Sequence, residues 1–234
     1  MDFLPGKTLG CSLLLTIAFF SFFSAADPLA EKLVVDRSCF DLQWRRHKPF
    51  DYYHPETREN TATYRGGLLY LVESRHFDDD VRNLVKGSTS VLPGDILFVL
   101  NSIPNHPAAL DSYSRYEYEL KHSEIFRKKQ AKQDLTYQAD CFFLRANQVF
   151  PNNAETLLVW AIHQFRNNRF NAAQQILERA VAIAPTYVEA HYNLGLVYAE
   201  LNNVEAAQKH ATIAYDAGYP LMGLKNKIAK LKKQ

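Results

Sequence analysis

Residues 155–219 read ETLLVWAIHQFRNNRFNAAQQILERAVAIAPTYVEAHYNLGLVYAELNNVEAAQKHATIAYDAGY, and this stretch repeats with a step of 34 residues. Ala139, Ala173 and Ala207 fall in register, as do Ala146, Ala180 and Ala214. Pro151 and Pro185 keep the same step, and Pro220 arrives one residue late. A step of this length, with small residues at fixed places, is what a stack of helix–turn–helix units requires. Two helices cross closely only where a side chain is small, so alanine recurs at the crossing. Proline then stops the second helix and starts the next unit, because it neither donates in a helix interior nor easily follows a helical residue.

Working outward, Ala154–Asn167 with Phe170–Ala184, and Val188–Leu201 with Val204–Ala217, are expected as helical pairs. Each pair turns at asparagines, Asn167-Asn168 and Asn202-Asn203, which tolerate the left-handed backbone of a tight turn. Gly218 reads as the stop of the last helix. Before these pairs, Leu135–Phe150 is expected as the second helix of an elongated, atypical unit spanning residues 105–153. Its first helix runs from Ala108 to about Lys121 with Pro107 in the first turn. The charged stretch KHSEIFRKKQAKQ, residues 121–133, reads as a solvated extension or connector that breaks the 34-residue step. Residues 68–104 carry shorter helices: an apolar face on Leu68, Leu69, Leu71, Val72 and Phe77, a short helix after Asp78-Asp79-Asp80, and Ile96–Ile103. The three aspartates are expected to cap a helix start. After Tyr219, residues 220–234 place Leu224, Ile228 and Leu231 on one stripe and lysines on much of the other. That is the pattern of a capping helix with one wet face, or of a basic tail for acidic partners. The fold class expected is all-α, a helical-hairpin solenoid with an irregular N-terminal arm and a C-terminal capping helix.

The stretch Val188-Glu-Ala-His-Tyr-Asn-Leu-Gly-Leu-Val-Tyr198, followed by Ala207 and Ala214, resembles the tetratricopeptide repeat family. Leu194, Gly195, Tyr198, Ala207 and Ala214 stand at signature positions, while His191 replaces the usual tryptophan. The preceding unit is a weaker match, with Trp160 at the leucine place, Ala161 at the small place, and Ala173, Ala180 and Pro185 fitting; residues 135–151 match the second helix alone. The resemblance implies a right-handed array whose first helices line a concave groove for a protein or peptide. By family position the groove residues are Glu155, Leu158, Ile162, Phe165 and Arg166 in one unit, and Glu189, Tyr192, Asn193, Leu196 and Glu200 in the next. Apolar and aromatic groups with acids at the rim suit an extended or helical segment that carries basic residues. Asn193 lacks the neighbouring cation needed to grip a free C-terminal carboxylate, because Glu189 stands there. The same positions could instead be covered by the N-terminal arm.

The chain has 234 residues, 47% hydrophobic and 22% charged, with a net charge of +2. These values are ordinary for a globular protein and make no case for nucleic acid. Cys11–Phe23 is an unbroken run of apolar and small residues, followed by Ser24-Ala25-Ala26. It is too short to span a ~30 Å hydrocarbon core, so residues 1–26 are expected as a secretory leader cut after Ala26. An uncleaved N-terminal anchor is the alternative. No stable membrane insertion is expected once the leader is cut. Cys39 and Cys141 then remain, either as a disulfide in an oxidising compartment or as two buried thiols. A bridge would close a loop of about a hundred residues and pin the arm, residues 27–67, to the helices. The arm lacks a helical period and holds Arg45-Arg46-His47-Lys48 and Phe50-Asp51-Tyr52-Tyr53-His54.

Reactive constellations are sparse: no glycine-rich phosphate loop, nucleophile elbow or paired-histidine zinc motif occurs. Glu73-x-x-His76 is half of a di-iron helix motif without a second copy. His163 and His191 read as packing residues. The expectation is a non-enzymatic interaction module of the periplasm, an adaptor or assembly factor with no cofactor and no metal. The alternatives are an enzyme whose site uses Tyr52, Tyr53, His54 and His76, or a structural, oligomeric subunit with its groove self-occupied.

Overall fold

A computed structural model describes Cys39, residues 48–130, Leu135 and residues 137–233. The expected leader and most of the first half of the arm lie outside the described residues. Among the described residues every regular element is helical. Residues 48–67 form an irregular segment with a single short 3-10 turn, Pro55–Thr57. Eleven α-helices follow: α1 Leu68–His76, α2 Asp79–Arg82, α3 Leu92–Ser102, α4 Pro107–His122, α5 Glu124–Lys129, α6 Ala139–Val149, α7 Ala154–Arg166, α8 Phe170–Ile183, α9 Val188–Glu200, α10 Val204–Asp216 and α11 Gly223–Leu231. The tightest associations are the antiparallel neighbours α7 with α8 and α9 with α10, and α9 also packs on α8. The array is a tetratricopeptide-like helical solenoid.

Local chemistry sets the boundaries. Asp78 accepts from the Val81 N–H at 3.0 Å and starts α2; Asn153 accepts from Thr156 at 2.7 Å and starts α7; Asn203 accepts from Ala206 at 3.1 Å and starts α10. Each such cap satisfies an orphan donor and contributes about 1 kcal/mol. Asn168 and Asn202 both sit at φ 58, the left-handed turn the sequence asked for, and Gly218 follows α10 at φ 83. The charged connector does not continue α4. Ser123 breaks the helix and caps α5 by accepting from Phe126 at 3.2 Å, so the expected extension is a separate short helix. Helix α3 begins at Leu92, earlier than the expected Ile96, because Pro93 occupies its first turn, where no backbone donor is needed. Helix α6 begins at Ala139, four residues later than expected.

The crossing alanines behave as their spacing implies. Ala173, Ala180, Ala207, Ala211 and Ala214 are all essentially without solvent exposure. Trp160 and Phe143 stack at 6.3 Å at the centre of the larger core. Burying an aromatic of this size contributes roughly 2–3 kcal/mol. The N-terminal helices are also tied to one another by polar links. Asp95 is fully buried on α3 and accepts from the backbone N–H groups of Ser88, Thr89 and Ser90 at 2.7–3.0 Å. Burial alone would raise its carboxyl, but these bonds with those of Thr89 and His76 hold it at about 2.

The arm is fixed at both ends of its described part. Cys39 is bonded to Cys141 on α6. Further along, Phe50 N–H donates to the Ser102 carbonyl at 3.0 Å, Tyr52 N–H to Asn105 Oδ1 at 2.9 Å, and Asn105 Nδ2 to Asp51 at 2.7 Å. The arm therefore runs past the start of α4.

Candidate functional site

The first helices of successive units, α4, α7 and α9, lie side by side, with α7 between the other two. Arg166, at the end of α7, reaches back to α4. It pairs with Asp111 at 2.7 Å and also donates to the Ser114 hydroxyl. Its charge is consumed inside the array. Glu155 lies in the first turn of α7 and Glu189 in the first turn of α9, where a carboxylate meets the positive end of the helix. Neither has an ion-pair partner among the described residues.

The remaining residues assigned to the groove divide by exposure. Leu158 and Tyr192 are buried, at 7% and 6% exposure. Ile162, Phe165, Asn193 and Leu196 are half-buried, and Phe165 stands edge-on to Phe170 at 5.3 Å. Asn193 Nδ2 donates to the Glu189 carbonyl at 2.8 Å. Tyr192 is covered by the C-terminal segment, with the Tyr219 ring at 4.4 Å and the Tyr215 ring at 6.5 Å. Glu200 pairs with Lys227 of α11 at 2.5 Å. The chain from Tyr215 onward thus takes up two of the positions assigned from α9, Tyr192 and Glu200.

Three tyrosines not assigned to the groove from the sequence border this face. Tyr53 of the arm lies beside Glu155 and Tyr187; burial first, then these neighbours, push its hydroxyl well above the ordinary range. Burial, Glu189 and Glu155 push Tyr187 up to about 12, and burial with Glu189 raises Tyr219. A weak signal existed for two of them: Tyr187 follows Pro185 by two residues and Tyr219 adjoins Pro220, both at unit boundaries. Nothing in the spacing of the arm placed Tyr53 there.

The residues named for an enzyme site are drawn to different partners. Tyr52 packs its ring on His106 at 4.8 Å and stands edge-on to Tyr53 at 5.0 Å, and His54 caps the 3-10 turn. His76 bonds Asp95 through Nδ1 at 2.9 Å. Glu73, its companion in the half-motif, instead accepts from His106 Nε2 at 3.0 Å, which holds the Glu73 carboxyl below its usual range. His106 Nδ1 accepts from Ala109 N–H at 3.2 Å, so the imidazole spans Glu73 and the first turn of α4.

One Ser–His–Asp set does form. Ser114 Oγ is 2.8 Å from His163 Nδ1, and His163 Nε2 is 3.3 Å from Asp140. Arg169 bonds both Asp140 at 2.7 Å and His163 Nε2 at 2.9 Å, and Gln164 donates to Asp140 at 2.6 Å. Burial works against the charge on Asp140, but His163 and Arg169 hold its carboxyl far below the usual range. Ser114 and His163 have no solvent exposure, and Arg166 occupies the serine hydroxyl. The set is a buried polar network joining α4, α6, α7 and the start of α8, in which Gln164 Oε1 and Arg169 Nε are left without a partner among the described residues, and its hydroxyl has no path to a substrate.

Among the described residues no group of three or more histidine, cysteine, aspartate or glutamate side chains is placed to hold a metal ion. Among them, too, no helix is long and apolar enough to cross a membrane.

The profile of the family described as tetratricopeptide repeat matches residues 164–211, from the end of α7 through α8 and α9 into α10. A search of curated proteins finds no match to the chain. Tetratricopeptide repeats mediate protein–protein interaction. The repeat step, the buried small residues and the paired helices agree with that match, so residues 164–211 are similar to the tetratricopeptide repeat family.

Proposed function

We propose that the chain is a non-enzymatic adaptor or assembly factor of an exported compartment, the periplasm, and that it holds a segment of a partner protein against α4, α7 and α9. The observation that carries this reading is the pair Glu155 and Glu189. Both are carboxylates without a counter-charge among the described residues, on the face where Ile162, Phe165 and Leu196 keep partial exposure. An apolar surface with unpaired acids at its edge suits an extended or helical segment bearing lysine or arginine. The compartment is supported by the apolar run Cys11–Phe23 and by the Cys39–Cys141 bridge, which persists where thiols are oxidised.

A second reading draws on Tyr53. Its place beside Glu155 and Tyr187 puts part of the arm at the edge of the same face, so the arm would act as a fixed wall or occupant of the groove.

Because Leu158 and Tyr192 are buried, a test should use exposed or half-exposed positions. The protein is isolated with its bound partners from the envelope fraction of its native cells, as wild type and as Glu155→Lys with Glu189→Lys. Loss of one captured protein, with an unchanged melting temperature, is the expected result. The same captured set from both proteins overturns the groove reading, and absence from the envelope fraction overturns the compartment.

A further inference from the structure

We propose that the trough between α10 and α11 is a second docking surface, away from the α4–α7–α9 face, and that it takes an acidic amphipathic helix of a partner protein, laid on α10 and α11 as α10 is laid on α9. The argument begins with register. At the 34-residue step, Leu224, Ile228 and Leu231 of α11 match Ala190, Leu194 and Val197 of α9, and Ala229 matches the small position of Gly195. Leu224 and Ile228 are buried, like Ala190 and Leu194 before them. Helix α11 is therefore the first helix of a further unit.

In the unit before, that surface has a cover. Helix α10 lies over α9, placing His210 Nδ1 at 2.9 Å from His191 Nδ1 and the His210 ring at 5.6 Å from that of Tyr198. The corresponding surface of α10 and α11 is an open trough of about 460 Å³. Its apolar walls are Ala211, Tyr215, Met222, Ile228 and Ala229. The positions of His191 and Tyr198 are taken here by Lys225 and Lys232, both lining the trough. Neither lysine has a carboxylate partner among the described residues; Lys232 only donates to Gln208 at 3.0 Å. Among the described residues Asp216 is the one carboxylate in the lining. Leu221 and Met222, at 55% and 48% exposure, extend the apolar surface at its end.

The charge selects the occupant. A helix lying where α10 lies on α9 presents one side to two unpaired lysines, so it needs glutamate or aspartate there. It also needs a small residue opposite Ala211 and Ala229, as Ala207 and Ala211 supply in α10.

The probe is a stapled peptide copying residues 203–217 with His210→Glu, since a free helix of this length is marginal in water. Fluorescence anisotropy should show it binding the full chain. Binding should weaken at least tenfold on Lys225→Glu with Lys232→Glu and stay unchanged on Glu155→Lys with Glu189→Lys. A matching peptide with His210→Lys should show the reverse preference, binding the charge-reversed protein more tightly. Circular dichroism melts confirm that both variants fold. Equal binding of the two peptides to wild type, or no binding up to about 1 mM, overturns the proposal. Concentration-dependent self-association that Lys225→Glu with Lys232→Glu abolishes would make the occupant a second copy, and this also overturns it.

Discussion

His210 shows how a single residue on a repeat helix carries a pH dependence. His191 Nε2 donates to the Pro185 carbonyl at 2.9 Å, so its Nδ1 is bare and accepts from His210. Burial, His191 and Lys209 all disfavour the charged form of His210, and only Glu178 opposes them, leaving its pKa at about 4. A base whose folded pKa is depressed contributes stability that is complete above the unfolded value of about 6.5 and is lost as pH falls toward 4. Half-burial discounts the effect to about 1 kcal/mol. Between pH 7.5 and 5 the denaturation midpoint should therefore fall in the wild type and fall less in His210→Gln, as measured by urea titration. Equal slopes for the two proteins would contradict the assignment.

At the scale of the element, the question is what fixes α11 to the array. Gly195 is a helical glycine facing a neighbour at close range. A Cβ added there would lie 2.5 Å from Leu224 Cδ2 and 3.4 Å from the Ala207 carbonyl oxygen. Leu224 is fully buried and cannot swing into solvent without leaving its cluster. Gly195→Val should thus cost about 1–3 kcal/mol by overpacking. The loss should be local: amides of residues 223–231 should exchange faster while those of α7 and α8 keep their protection. Uniform loss along the array would show that the last unit does not open separately. The same logic explains why α7 can replace the usual leucine by Trp160. Phe143 of α6 stacks against it, and its indole N–H reaches Asp140 at 3.4 Å, so the larger side chain has both its area and its donor accounted for.

For the whole molecule, the Cys39–Cys141 bridge spans 102 residues and ties the arm to the middle of the array. Closing so long a loop restricts the unfolded chain and should contribute about 2–4 kcal/mol. Reduction, or Cys39→Ser with Cys141→Ser, should lower the guanidinium midpoint accordingly. It should also speed exchange at the Phe50 and Tyr52 amides, which the arm bonds to Ser102 and Asn105. An unchanged midpoint would mean the arm's own contacts suffice. The outcome bears on binding as well, because Tyr53 belongs to that tethered arm and borders Glu155.

The sequence by itself determined the paired helices, their turns and their crossings. These depend on residues within one 34-residue step: alanine where helices touch, asparagine where the backbone must turn left-handed, proline where a helix must stop. It also named two cysteines as a pair without deciding between bridge and thiols. Only the tertiary structure decided that they are joined, that Arg166 and Glu200 spend their charges inside the array, and that Tyr53 comes to the edge of the first-helix face. It also assembled Ser114, His163 and Asp140 from three separate helices and then sealed them from solvent. Such contacts join residues dozens of positions apart. Their partners are set by how helices stack in space, and local periodicity carries no record of that.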